Sequence, residues 1–213
     1  IRFNGQFETV YIVTEHVFSM DGDHSDVNAL VELCNKFGAF LILDEAHSVG
    51  TISKKGCVDQ SHQIFARIIT FGKTFGSHGA AVLGSEQLKQ FLINFAKSFI
   101  YTTAPSVETT ARNWAAHLYF ESNSSDFESL RLNIADFKEQ LKQNKLSSFF
   151  IESDSAIQSF VIGGNTKVKL ISSQLQQEGF DVRAILSPTV PLKQERLRFC
   201  LHSYNTKQQF SKC

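Results

Sequence analysis

Two short apolar runs enclosing one amphipathic stretch constrain this 213-residue chain more than any other feature. Val10–Thr14 (VYIVT) and Phe40–Leu43 (FLIL) are rich in β-branched or aromatic residues, and both are bounded by polar residues or Gly. Between them lies DVNALVELCNKF, residues 26–37, with apolar residues at 27, 30, 31, 33, 34 and 37. That spacing predicts a helix behind an Asp26 cap, with Gly38 as its stop. Strand, helix and strand on this scale make a βαβ unit, which requires parallel pairing. Two further runs, Arg67–Phe71 (RIITF) and Ala80–Leu83 (AAVL), also lack in/out alternation. All four therefore read as buried strands of a mainly parallel sheet, and the fold class is expected to be α/β.

From about Ser85 the pattern turns helical. Amphipathic stretches over Glu86–Phe99 and Val107–Ser122 precede a polar break at Asn123–Asp126. Phe127–Asn144 is a third long helix, with Leu130, Ile134, Phe137 and Leu141 on one face and a charged, solvated face opposite. The tail mixes strands (Ile157–Ile162, Leu197–Leu201) with a helix over Lys167–Glu178 that Gly179 closes. A domain boundary is expected near residue 122. It separates part of a large sheet domain (1–122) from a small α+β domain with an exposed helical face (123–213).

Lys+Arg and Asp+Glu both number 21, so no net field points to nucleic acid or a membrane surface. The longest apolar runs are too short to cross a bilayer, and no signal peptide is visible. Cys34, Cys57, Cys200 and Cys213 form no CxxC pair and read as reduced thiols of a cytoplasmic protein without a metal site.

The segment richest in possible chemistry is Leu43-Asp44-Glu45-Ala46-His47. It follows a strand directly, so Asp44 and His47 emerge at the carboxyl end, where open α/β sheets bind ligands. Thr70–Gly76 (TFGKTFG) then sets Lys73 between glycines just past another strand. An acid and an imidazole at one strand end, with a lysine at the end of another, can serve a cofactor. The plainer readings stand beside that one, because Asp-Glu after a strand often caps a helix and a loop lysine is often solvated. Glu45 reads as a structural or capping carboxylate. His16, His24, His62, His78, His117 and His202 show no mutual metal-ligand spacing and read as surface or loop residues.

The run Val17–Asp23 (VFSMDGD), then LDEAHSVG (43–50) and TFGKTFG (70–76), closely resembles the α-oxoamine synthase family in order and spacing as well as in residue type. The resemblance continues through GAAVLGS (79–85), FIYTTAPS (99–106), SAIQ (155–158), SPTVP (187–191) and RLR (196–198), and so covers nearly the whole chain. Within the family these motifs are most similar to the biotin-pathway branch. The resemblance implies a fold-type-I pyridoxal-phosphate enzyme with Lys73 as the lysine that carries pyridoxal 5'-phosphate. It also implies that Asp44 pairs with the pyridine nitrogen and His47 with the phenolic oxygen, with Ser19 nearby. Thr70 would contact the phosphate, while Thr102 and Thr103 would reach the neighbouring subunit's phosphate in a homodimer with shared active sites. Arg198 would hold the amino-acid carboxylate, and Thr189 would touch substrate or form a turn. The implied reaction joins L-alanine to an acyl thioester, pimeloyl-CoA or pimeloyl-carrier protein, with loss of CO2 and the thiol. Relatives that use glycine or serine are the close alternative, and a non-catalytic interaction module the distant one.

Two departures accompany the resemblance. Family members carry a further stretch before the VYIVTE strand, including the glycine-rich phosphate loop and the ring that stacks on the cofactor. A sheet without it is expected to associate through an open edge. Leu186 stands where an arginine often precedes the PTVP motif, which leaves the acyl specificity open.

Overall fold

The computed structural model describes residues 9–57 and 63–212, arranged in two compact units. The first takes its described residues from Ile1–His16 and Ser25–Ser122, the second from Val17–His24 and Asn123–Cys213. The strip 17–24, which the sequence assigns to the first part, thus belongs to the second unit. His62 and Cys213 lie outside the described residues.

The first unit is built on four strands, β1 (Tyr11–Glu15), β2 (Phe40–Asp44), β3 (Ala66–Thr70) and β4 (Ala80–Gly84), in that spatial order. β1, β2 and β3 run parallel and β4 is antiparallel to β3, which agrees with the α/β class expected. The crossover helix α1 (Val27–Phe37) starts where the sequence indicates, because the Ala29 N–H donates to Asp26 Oδ1 at 3.0 Å. It ends at Gly38, whose φ of 64° is left-handed. Val27, Val31 and Cys34 on its inner face pack with Leu41, Leu43, Cys57 and Ile64 as the core of this unit.

Only β2 and β3 are covered as expected. β1 and β4 are the two ends of the strand order, and Val13 (68% exposed) and Val82 (51%) face solvent. A run without alternation marks apolar demand on both faces but does not say whether neighbours meet it. The stretch 86–99 divides into α2 (Glu86–Phe95) and α3 (Lys97–Ile100) at Ala96, whose backbone is extended. α2 and α4 (Val107–Ser122) bury no residue, leaving Phe91, Phe95, Trp114, Leu118 and Tyr119 exposed. Among the described residues no helix is long and apolar enough to cross a membrane.

In the second unit, α5 (Ser125–Gln143) buries Leu130, Ile134, Phe137 and Leu141, the face its periodicity marks. They pack on Leu201, with Phe150, Phe199 and Phe210 around them. The sheet is antiparallel, in the order β5 (Ile157–Val161), β7 (Arg196–Cys200), β6 (Arg183–Ile185). α6 (Asn165–Gln177) and α7 (Lys207–Lys212) complete it. The strip 17–24 is fixed here by side-chain donors. Ser153 Oγ donates to the Gly22 carbonyl and Ser159 Oγ to the Met20 carbonyl, each at 2.7 Å, and Arg196 pairs with Asp21. Gly22 has φ 80°, and a Cβ there would lie 2.3 Å from the Ile157 carbonyl oxygen, so only glycine lets the strip lie down.

One buried ion pair fixes the loop after β2. Glu45, fully buried, accepts from Arg67 Nε on Oε2 at 2.5 Å and from the Cys57 N–H on Oε1 at 2.6 Å. Arg67 Nη2 also donates to the Lys55 carbonyl at 3.0 Å. Removing one partner strands the other charge in a dry interior, which costs about 3–5 kcal/mol. Arg67→Met is therefore expected to lower unfolding free energy by about that amount in denaturant titration, and adding Glu45→Gln to recover part of it. Independent, additive losses would show that the pair does not act as a unit. Phe137→Ala, which empties an aromatic from the second unit's core, is expected to cost about 3–5 kcal/mol in the same assay.

Candidate active site

Asp44 ends β2 opposite Ile68 of β3, and Thr70 ends β3 two residues further on. Because the strands are parallel, both ends emerge on one edge of the sheet. Asp44 is half-buried, and its Oδ1 accepts the Ala46 N–H at 2.8 Å, which orients the carboxylate as the chain turns. His47 follows in that turn, half-buried, its carbonyl accepting the Thr51 hydroxyl at 2.6 Å. Beyond Thr70 the chain forms a closed loop: the Phe71 N–H donates to the Gly79 carbonyl at 2.9 Å, and the Ser77 N–H to the Phe71 carbonyl at 2.7 Å. Lys73 sits exposed within it, its carbonyl accepting the Gly76 N–H at 2.9 Å. The topology thus gathers Asp44, His47, Thr70 and Lys73 at one sheet edge.

Thr70 Oγ1 is buried and has no hydrogen-bond partner. An unsatisfied hydroxyl costs about 1–3 kcal/mol, so its persistence at a strand end fits an anionic ligand oxygen there. Ser77 Oγ and Asn113 Oδ1 share that condition on the lysine loop and on α4. A carboxylate, an imidazole, a primary amine and buried hydroxyls form a donor set suited to a phosphorylated, charged aromatic ring.

In the second unit, Arg198 on β7 donates from Nη1 to the Ser19 carbonyl at 3.0 Å, so these two residues meet. Its Nε is buried without a partner. Thr189 is exposed in the segment joining β6 to β7, and Thr102 and Thr103 are exposed in the segment joining α3 to α4. The SAIQ motif has a structural duty. Ser155 Oγ accepts the Ile157 N–H at 3.1 Å, and Gln158 Nε2 donates to the Ser155 carbonyl at 2.8 Å, all of it buried.

His16, read from sequence as a surface or loop residue, is instead buried beside Cys57 and Glu45. The sequence could not show that a residue 41 positions away folds back to put Cys57 Sγ 3.4 Å from His16 Nδ1. The donor atoms of the three lie within 4.8 Å of one another. Both Glu45 oxygens are already engaged, one by a guanidinium. Burial, reinforced by the negative charge of Glu45 and opposed by Arg67, pushes the Cys57 thiol up to about 12. A neutral thiol beside a spent carboxylate is a core network and a poor cation site. His24, His78, His117 and His202 are exposed, as read. Arg67 escaped the sequence reading, although a charge inside an apolar run signals a buried partner.

The family profile for aminotransferases of class I and II matches residues 3–211. An 8-amino-7-oxononanoate synthase from Pectobacterium atrosepticum is 36% identical over 194 residues, covering 89% of this chain and 50% of that protein. The crystal structure of 8-amino-7-oxononanoate synthase from Francisella tularensis superposes with a TM-score of 0.78 at 28% identity, over 96% of this chain and 60% of that one. A serine palmitoyltransferase from S. paucimobilis, with bound PLP–myriocin aldimine, gives a TM-score of 0.85 at 22% identity, over 95% and 52% respectively, and shares the fold. The chain spans about half the length of the curated relatives it matches. With the profile match running almost from end to end, and with an acid, an imidazole and a lysine at the carboxyl edge of a parallel sheet, the chain belongs to the aminotransferase class I and II family.

Proposed function

We propose that this chain is the lysine-bearing part of a pyridoxal-phosphate-dependent α-oxoamine synthase that joins L-alanine to a pimeloyl thioester, with loss of CO2 and the thiol. The observation that carries the proposal is the gathering of Asp44, His47, Thr70 and Lys73 at one sheet edge, with the Thr70 hydroxyl buried and unpartnered. Similarity to 8-amino-7-oxononanoate synthases supports the choice of substrates and a place in biotin synthesis.

When bound, pyridoxal phosphate supplies an electron sink for the charge left at the amino acid's Cα. Lys73 Nζ would hold the cofactor covalently, and the same amine is the base assigned to the amino acid's Cα proton. The Asp44 carboxylate favours a proton on the pyridine nitrogen by opposite charge. His47 hydrogen-bonds the phenolic oxygen, with Ser19 assigned nearby, and the Thr70 hydroxyl gives its donor to a phosphate oxygen. Arg198 offers its guanidinium fork to the substrate carboxylate, with Nε already buried and waiting for an acceptor. Thr189 is assigned to the acyl substrate. Thr102 and Thr103 are assigned to the phosphate of a neighbouring subunit in a cytoplasmic homodimer. The exposed apolar residues of α2 and α4 support that assembly.

Leu186 favours a second reading. It packs against the cluster formed by Val168, Val182 and Leu197, so the arginine position of the biotin-pathway branch carries an apolar side chain turned to the core. An α-oxoamine synthase that takes glycine or serine, with an acyl chain lacking a terminal charge, fits that residue.

Mixing the purified chain with pyridoxal phosphate is expected to give a visible absorbance band that Lys73→Ala abolishes. Thr70→Val is expected to weaken cofactor binding roughly tenfold or more, through loss of a hydrogen bond to a charged group. A chain that stays colourless overturns the cofactor reading. A spectral response to alanine alone supports the biotin-pathway substrate, whereas an equal response to glycine and serine supports the second reading.

A further inference from the structure

We propose that Thr74 is a positioning residue that locks the Lys73 loop to the loop carrying Asp44 and His47, so that amine, acid and imidazole are held as one body. The inference rests on the reading of Lys73 as the cofactor lysine. Thr74 Oγ1 donates to the Val49 carbonyl at 2.9 Å, a bond between two loops 25 residues apart. Val49 lies two residues beyond His47. The acceptor loop is itself closed, because the Gly50 N–H donates to the Ser53 carbonyl at 2.7 Å and the Thr51 hydroxyl to the His47 carbonyl.

The methyl group of Thr74 marks how closely the two loops approach. A Cβ on residue 50 would lie 2.2 Å from Thr74 Cγ2 and 2.7 Å from Phe120 Cζ. Gly50 also has φ +78°, so residue 50 must be glycine on two independent grounds. The loops can therefore approach closely enough for the hydroxyl to reach Val49 only because glycine leaves room for the methyl. On the other side, Phe75 packs on Phe120 of α4 at 5.6 Å between ring centroids, and Asn113 Nδ2 donates to the His78 carbonyl at 3.2 Å. The lysine loop is thus seated on α4 by its far end and tied to the Asp44–His47 loop by Thr74.

Serine keeps the hydroxyl and valine keeps the shape, so the two substitutions separate the hydrogen bond from the bulk of the side chain. A neutral hydrogen bond contributes enough to change the opening equilibrium of such a loop by about fivefold. Hydrogen–deuterium exchange of the full chain without cofactor should show Thr74→Val raising exchange by about that factor over both 46–50 and 71–79. Thr74→Ser should stay close to the parent. Exchange in Thr74→Val equal to the parent, or faster in the lysine loop only, overturns the proposal. Gly50→Ala, which drives the methyl away from the other side, should loosen the same two segments; faster exchange in one segment alone counts against the lock.

With pyridoxal phosphate added, Thr74→Val is expected to shift the pH midpoint of the visible band, and Thr74→Ser to restore it. An unmoved midpoint in the valine variant shows that the tie does not reach the amine, and overturns the positioning role. A parent chain that takes up no pyridoxal phosphate refutes the cofactor reading of Lys73 and with it the positioning role. In that case the exchange measurement still reports whether Thr74 joins the loops, so the two failures are distinguishable.

Discussion

The pairing of Glu45 with Arg67 sets where everything at the sheet edge can be. Two charges taken from water cost several kcal/mol each, and that cost is offset only when every remaining polar atom is matched. Here the matching is also what shapes the loop. One carboxylate oxygen takes the guanidinium and the other takes the Cys57 N–H, so a single side chain joins β3 to the returning segment. The Glu45 N–H donates to the Ile68 carbonyl, and its own carbonyl accepts from Ser48 and Val49. Gly56 completes the arrangement, since a Cβ there would come within 2.4 Å of Glu45 Oε1. With Glu45 immobile, Asp44 before it and His47 after it have fixed exits from β2.

The second unit orders its own irregular segment by the same device, adding neutral hydroxyl donors to the Arg196–Asp21 ion pair. Buried Ser153 and Ser159 aim hydroxyls at the Gly22 and Met20 carbonyls of the strip 17–24, and Arg198 takes a third at Ser19. The strip's own backbone bonds leave carbonyls over, and side chains from elsewhere in the unit satisfy them. Arg198 Nη1 fastens the strip, while its Nε is buried without a partner.

The order of chemistry-bearing residues was legible because it follows from strand ends. Once the sheet was read as mainly parallel, Asp44 and Lys73, each just past a strand, were both expected at carboxyl ends. The buried face of α5 was legible too, since Leu130, Ile134, Phe137 and Leu141 recur at helical spacing. Edge status was not, because Tyr11–Glu15 and Ala80–Gly84 differ from the central strands only in what lies beside them. Nor was the burial of His16, which depends on a contact with Cys57 across 41 residues. The lodging of 17–24 in the second unit depends on serines more than 130 residues away, and no local pattern encodes that. Arg67 did leave a trace, as a charge where an apolar strand should have none.

Rigid and unsatisfied atoms are divided between different residues, and the division makes chemical sense. Glu45, Arg67, Ser153, Ser155 and Gln158 are buried with their partners in place, and they carry the geometry. Thr70 Oγ1 and Arg198 Nε are equally withdrawn from water yet unmatched. A folding chain gains nothing by burying a hydroxyl or a guanidinium N–H without an acceptor, and loses about 1–3 kcal/mol for each. Such a loss is tolerable where a ligand returns it on binding, because whatever binds only the folded state stabilises it. The guanidinium N–H can only donate and the hydroxyl can donate as well as accept, so acceptor oxygens such as those of a phosphate or a carboxylate would satisfy both. Among the described residues, two of the four buried side-chain atoms without a partner thus fall on residues that the family resemblance selects.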